Sequence, residues 1–410
     1  MRFVALATGV LASAVLAVPL AAPALAAPAS PAAASADRPW SGSPDHGHGQ
    51  HRDHFRHHAP GDGRNNARLQ KVLDSIVAAG APGVIAEVRD NDGIWAGRSG
   101  KGNLERNEPT RTDGLFRVGS VTKSFVATAV LQLVDEGALR LDDPVERHLP
   151  GLLPGGDKIT VRQLLSHRSG LFDYTDSLWA DGLQGFAKTR FKHYTPHQLV
   201  DEMNAHKPLF APGTAGSYSN SNYVVLGLLI EKATGHSAKA EIMKRIVKPL
   251  HLHRTSFPET STRIPGPHAH GYVRLQGSGS PYTDVTESSM SAAWTAGAII
   301  SDTHDLNTFY KALLEGKLLP AKLMKEMKNA QQLRDGGFYG LGLAKFVDPA
   351  FGTAYGHVGG TPGFATHSFT LADGSRQVTL SINSMADGGK EDIAAGKAVK
   401  SLLVMGTEAK

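Results

Sequence analysis

The 410-residue sequence predicts an α+β fold: an antiparallel sheet built from both ends of the chain, flanked by helices and interrupted by a mostly helical insertion. Three observations predict it. Strand patterns cluster near residues 83–96 and again at 364–382, the stretch from about Leu141 to Trp294 is poor in them, and helical apolar spacing lies outside both clusters.

In chain order, Met1-Arg2, an Ala/Val/Leu-rich run to about Leu20 and Ala24-Leu25-Ala26 read as a secretory signal peptide over residues 1–26, interrupted by Pro19 and Pro23 as a membrane span would not be. Export to the extracellular space or the cell wall is the expectation. Residues 27–66 form an Ala/Pro/His-rich linker, expected to be disordered, that holds six of the 19 histidines. Their spacing allows weak Zn²⁺ or Cu²⁺ binding or a plain solvated linker; no interleaved apolar residue fixes a coordination geometry. Residues 67–410 form the catalytic domain, with sheet-containing parts at 67–140 and 295–410 and a mostly helical part at 141–294.

Leu69, Val72, Leu73, Ile76 and Val77 repeat at helical spacing up to Gly80 and Pro82. Gly83 to Arg89 is an apolar strand, Asp90-Asn91-Asp92-Gly93 a turn, and Ile94-Trp95-Ala96 the start of the return strand. Helices are expected at Val161–Leu165, Asn222–Thr234 and Lys239–Val247. Phe364–Leu371, the turn Ala372-Asp373-Gly374 and the alternating Val378, Leu380 and Ile382 make a second hairpin, followed by a helix from about Lys390 to Val404.

Composition removes several function classes. A formal charge of +5 and 7% aromatic residues give no basic, aromatic-studded surface, so no nucleic-acid partner is expected. The absence of cysteine excludes disulfides, thiolate catalysis, zinc ribbons and iron–sulfur clusters. Any covalent catalyst is an oxygen or a nitrogen, and no motif calls for a cofactor.

Three segments carry candidate chemistry. In Arg117-Val118-Gly119-Ser120-Val121-Thr122-Lys123, an apolar helix follows and the i, i+3 spacing puts Ser120 and Lys123 on one face. A desolvated lysine can take the proton of a serine hydroxyl and make it a nucleophile; the alternative is a capping serine with a solvated lysine. In Ser217-Tyr218-Ser219-Asn220, a phenol can shuttle a proton and an amide can orient a substrate carbonyl, or the segment is a helix entrance with a packed tyrosine. In Tyr355-Gly356-His357-Val358-Gly359-Gly360, glycines let a ligand backbone approach, and the Gly360 N–H with that of Ser120 can form an oxyanion hole; a bulged strand end with a structural histidine is the alternative.

The ordered set S-x-x-K, Y-x-N, H-x-G resembles the penicillin-recognising serine hydrolases: class C β-lactamases, secreted D-alanyl-D-alanine carboxypeptidases and related esterases. The resemblance runs from about Ala67 to the last helix. Phe116–Asp135, Val161–Gly170 with His167-Arg168-Ser169-Gly170, Ser217–Gly235 and Ala296–Thr308 are similar to the actinobacterial carboxypeptidases, and His357 favours that branch because most β-lactamases carry K-T-G there. It implies a beta-lactamase/transpeptidase-like fold and a secreted hydrolase that forms an acyl-serine on a small peptide, ester or β-lactam, with cell-wall peptidoglycan as a possible target. Ser120 would be acylated, Lys123 and Tyr218 would share the proton transfers, and Asn220 would orient the substrate. His357 would support the Tyr218 phenolate and Gly360, beside Gly359, would complete the oxyanion hole. Trp179 would line the cleft as an aromatic roof, with Trp294 a further neighbour.

The chain departs from the carboxypeptidase pattern at Val358 and Gly360, where threonines are expected, and at Ala344, where an arginine clamps the substrate's terminal carboxylate. Losing such a charged contact, about 1.5–3 kcal/mol, weakens a free-acid substrate roughly tenfold to a hundredfold. Lys345 alternates to the other face. Three readings follow: D-alanyl-D-alanine peptides anchored by another cation such as Arg254; esters, amides or D-amino-acid peptides whose end is uncharged, with esterase, D-aminopeptidase, amidase or β-lactamase action as the superfamily alternatives; or a binding protein that acylates once without turning over.

Overall fold

A computed structural model describes residues 63–277, 279–385 and 389–405. The signal-peptide and linker-histidine assignments lie outside the described residues, apart from the linker's last four positions, which are helical. Helix α1, Gly63–Ala78, carries the expected Leu69–Val77 stripe and begins before the Ala67 domain boundary.

A nine-stranded antiparallel sheet forms the centre. Its strands are β1 (Gly83–Asp90), β2 (Gly93–Asn103), β3 (Glu108–Pro109), β4 (Gln331–Gln332), β5 (Phe338–Tyr339), β6 (Ala344–Asp348), β7 (Gly352–Thr361), β8 (Phe364–Leu371) and β9 (Arg376–Ile382), in the order β3-β2-β1-β9-β8-β7-β6-β5-β4. The two ends of the chain meet where β1 pairs with β9, Val84 opposite Ile382. The architecture is the expected α+β arrangement, an antiparallel sheet built from both ends of the chain.

Alternation along the strands builds two different faces. Val84, Ala86, Val88, Phe369, Leu371, Val378 and Leu380 pack under α1 and the last helix α7, Lys390–Val404, which contributes Ala395, Val399 and Leu402. The opposite face meets α6, Thr303–Leu314, through polar groups: Asn307 accepts from Thr379 Oγ1 at 2.8 Å and donates to Glu87 Oε1 at 3.1 Å.

Beyond that face lies a second core around α2 (Thr122–Asp135) and α4 (Ser221–Thr234). Both helices are apolar on nearly every side, so they are buried rather than amphipathic. The short helices α3 (Tyr174–Leu178) and α5 (Trp294–Gly297) cross near their N-terminal ends.

The second half of β7 positions the site. β6 pairs only as far as Gly356, leaving His357–Thr361 with β8 on one side and the turn that carries Ser120 packed against the other. The glycine-rich segment expected to be a strand end is thus part of a ten-residue strand.

Candidate active site

Ser120 sits half-exposed in a single 3₁₀ turn, Gly119–Val121, that runs directly into α2. One turn on, Lys123 is completely buried, and its Nζ lies 2.9 Å from Ser120 Oγ, 2.7 Å from Asn220 Oδ1 and 2.6 Å from the Ala296 carbonyl. All three are acceptors for an ammonium. When the lysine is neutral, the two fixed carbonyl oxygens take its two N–H groups and the lone pair is left facing the serine hydroxyl. Burial drives the lysine down to about 7, with Asp173 pulling the other way.

Asp173 was not found among the sequence motifs. Buried at the N-cap of α3, it accepts from both the Asn220 amide N–H and Asn220 Nδ2 at 3.0 Å and from Thr175 Oγ1 at 2.8 Å. A carboxylate can only accept, so the Asn220 side chain is held with Nδ2 toward Asp173 and Oδ1 toward Lys123. Burial raises the Asp173 carboxyl above its ordinary value. The sequence signal was Asp173-Tyr174-Thr175, which by itself reads as a helix cap.

Tyr218 is buried next to Ser120, with its ring 5.0 Å from Lys123 Nζ. Its hydroxyl makes no full hydrogen bond, although the Ser120 hydroxyl holds its pKa down against burial, which raises it well above the ordinary phenol value. His167 stacks on it at 4.1 Å between ring centres and accepts from the Ser219 N–H at 3.2 Å, while its own carbonyl accepts from the Ser217 N–H at 2.9 Å.

His357 does not support a Tyr218 phenolate. Its Nδ1 donates to the Val358 carbonyl at 2.6 Å, so Nε2 accepts from Tyr339 Oη at 2.8 Å, and the centres of the His357 and Tyr218 rings lie 6.4 Å apart. Burial and the neighbouring Lys123 drive His357 down to about 3, so it is neutral. Tyr339, unmarked in the sequence, is the group His357 holds.

The beta-lactamase family model matches residues 69–401. The chain belongs to that family. PbpX of Bacillus subtilis, named as a penicillin-binding protein, is 30% identical over 72% of this chain and 69% of its own length. Esterase EstB of Burkholderia gladioli is 32% identical over 47% of this chain and 51% of the esterase. Among solved structures, a D-stereospecific amidohydrolase from Streptomyces superposes with a TM-score of 0.74 at 39% identity, over 80% of this chain and 97% of that one. The D-amino acid amidase of Ochrobactrum anthropi in complex with D-phenylalanine gives 0.73 at 28%, over 83% and 99%. Family members of this kind are serine hydrolases.

In this beta-lactamase-family protein a cavity of about 120 Å³ opens beside Ser120 and is lined by Trp179, Tyr218, Asn220, Gly359 and Gly360, among others. Two glycines make the close approach possible. A Cβ on Gly359 would lie 1.9 Å from the Val118 carbonyl, and one on Gly119, whose φ is +55°, would lie 2.7 Å from the Gly360 nitrogen. Gly360 itself is different: a Cβ there would meet only the tip of Met385, at 3.5 Å.

Trp294 does not line the cleft; it packs over Gly227 of α4. Ala344 pairs with Gly356 and packs beside Tyr218 and Tyr339. Arg254 is no substitute anchor, because its Nε donates to Asp302 Oδ2 at 2.8 Å and it is not among the residues lining the cleft.

Proposed function

We propose that this protein is an exported serine hydrolase that cleaves amides or esters of D-amino acids, or peptides of like stereochemistry, whose carboxyl end is uncharged. The observation that carries it is the buried Lys123 Nζ 2.9 Å from Ser120 Oγ, with two carbonyl oxygens fixing its remaining hydrogens.

In this reading neutral Lys123 takes the Ser120 proton as Oγ bonds to the substrate carbonyl carbon. The N–H groups of Ser120 and Gly360 receive the developing oxyanion. The tetrahedral species collapses, the C–N or C–O bond breaks, and the lysine proton passes to the leaving group, with the neutral Tyr218 phenol as relay. Water then attacks the acyl-serine as Lys123 takes its proton; the bond from the acyl carbon to Ser120 Oγ breaks, and Lys123 returns the proton to Oγ as the acid leaves. The high pKa of the buried phenol argues for a relay role rather than a resident phenolate.

The substrate class rests on what lines the cleft. No lysine or arginine is found among its described lining residues, and Ala344 stands where a carboxylate clamp would be. The amide-cleaving neighbours, a D-stereospecific amidohydrolase and a D-amino acid amidase, support the same direction. D-Alanyl-D-alanine carboxypeptidase action fits less well, since its substrate ends in a free carboxylate.

The test compares D-phenylalanine amide with D-alanyl-D-alanine and its amide. The expected result is faster cleavage of both amides than of the free acid, by about tenfold or more. Preference for the free acid would refute this substrate class.

A further inference from the structure

His167 holds the chain on both sides of Tyr218. Its carbonyl accepts from the Ser217 N–H, its Nδ1 accepts from the Ser219 N–H, and its ring stacks on the phenol between them. A backbone N–H can only donate, so Nδ1 carries no proton and the ring proton sits on Nε2. Asn222 fixes the same tautomer: its Oδ1 accepts from the Ser169 hydroxyl, which leaves Nδ2 to donate to Nδ1 at 3.1 Å. Burial and the neighbouring Lys123 keep the ring neutral.

Two features make this histidine costly to the fold. Its φ is +57°, a left-handed conformation that non-glycine residues rarely adopt, and its Nε2–H is buried with no hydrogen-bond acceptor. An aliphatic side chain would pack there without the orphaned donor, so packing alone does not account for the residue. What histidine adds is a ring on Tyr218 together with an acceptor for Ser219.

Tyr218 is also the phenol that needs holding. Three tyrosine rings surround His167, with centres at 4.1 Å for Tyr218, 4.6 Å for Tyr339 and 5.3 Å for Tyr223. Tyr223 donates to the Leu165 carbonyl at 3.0 Å and Tyr339 to His357 Nε2 at 2.8 Å, so their own hydroxyls anchor them. The Tyr218 hydroxyl has no such bond, and its ring is placed by what grips it.

We propose that His167 is a positioning residue that keeps the Tyr218 hydroxyl where it relays the proton from Lys123 to the leaving group. The inference rests on the acyl-serine reading above and deepens it. The phenol gives its proton to the leaving nitrogen or oxygen as it takes one from Lys123, and ends unchanged; His167 itself neither gives nor takes a proton.

The test is a double-mutant cycle on the full-length protein. The readout is kcat/KM for D-phenylalanine amide, or for p-nitrophenyl acetate if the amide is not cleaved, divided by the fraction of Ser120 that a fluorophosphonate labels. His167→Asn tolerates the left-handed backbone and keeps a side-chain acceptor at the position of Nδ1, but removes the ring. It should lower kcat/KM by about tenfold to a hundredfold, the range for a misplaced reacting group. Tyr218→Phe keeps the ring that His167 packs on and deletes only the hydroxyl, so adding His167→Asn to it should cost less than about twofold. A merely structural histidine would cost as much in either background; that result, or no cost in either, overturns the proposal. If His167→Asn yields no labelled protein, Asn222→Ala, which keeps the ring but loosens it, takes its place in the cycle under the same criteria. Absence of label in both variants makes His167 a residue of the fold and overturns the proposal too. So does a wild type that labels but cleaves neither substrate, since no relay is then at work, whereas a wild type without label removes the acyl-serine reading itself.

Discussion

In the proposed reaction Lys123 is the base, and its environment gives the pH dependence a definite sign. A base must be neutral to accept the serine proton, so kcat/KM rises with pH through the lysine's value of about 7 and levels off above it. Asp173 holds that value up; Asp173→Asn therefore moves the acid limb to lower pH and, by freeing the Asn220 side chain, lowers kcat. An unmoved limb would remove Asp173 from the account. Lys123→Ala should cost about 10³-fold or more in kcat/KM and Tyr218→Phe about 10²-fold, measured on one chromogenic ester. Ser120 and Lys123 were legible because i, i+3 spacing on an apolar helix is a local property. Asp173 and Tyr339 were not, because they reach the site only through α3 and β5, and their local context reads as a cap and a strand end.

At the level of elements, β7 shows what local pattern conceals. Phe364–Leu371 and the alternating Val378, Leu380 and Ile382 read as a hairpin, whereas β7 carries Gly352, Gly356, Gly359 and Gly360, residues that weaken a strand on their own. The fold needs two of them: a Cβ on Gly356 would lie 1.9 Å from the Ser368 carbonyl of β8, and one on Gly359 1.9 Å from the Val118 carbonyl. Hence the two adjacent glycines should behave oppositely. Gly359→Ala should abolish acylation or folding, since the clash is with backbone, while Gly360→Ala, facing only a flexible Met385 tip, should fold with a thermal midpoint near wild type. Equal effects, read by thermal melts and Ser120 labelling, would contradict the packing described. On β6, Ala344→Arg should raise the relative rate on D-alanyl-D-alanine by about tenfold, by placing a cation beside Tyr218.

For the molecule as a whole, the arrangement of apolar sheet face, terminal helices and helical insertion was readable because each is a long periodic segment. What the sequence hid is that the second sheet face is buried too, with Thr379, Gln377 and Asn307 bonded to one another's side chains or backbone rather than to water. The protein interior also holds three buried histidines, His167, His357 and His367, all pulled below the ordinary value, the last two to about 3 and about 4. The unfolded chain binds their protons near pH 6.5 and the folded one does not. Stability present above that value is therefore lost as pH falls from about 6.5 toward 4, by up to about 1.4 kcal/mol per pH unit for each histidine. Thermal midpoints should fall steadily between pH 7 and 5; a flat profile would mean these rings are not held neutral. The central claim, a lysine-activated acyl-serine, is tested most directly by the intact mass of the whole protein after exposure to a fluorophosphonate or a D-amino acid ester. One covalent increment on the wild type, absent in Ser120→Ala and strongly slowed in Lys123→Ala, is the predicted result. An unchanged wild-type mass, or an increment that survives Ser120→Ala, would contradict it.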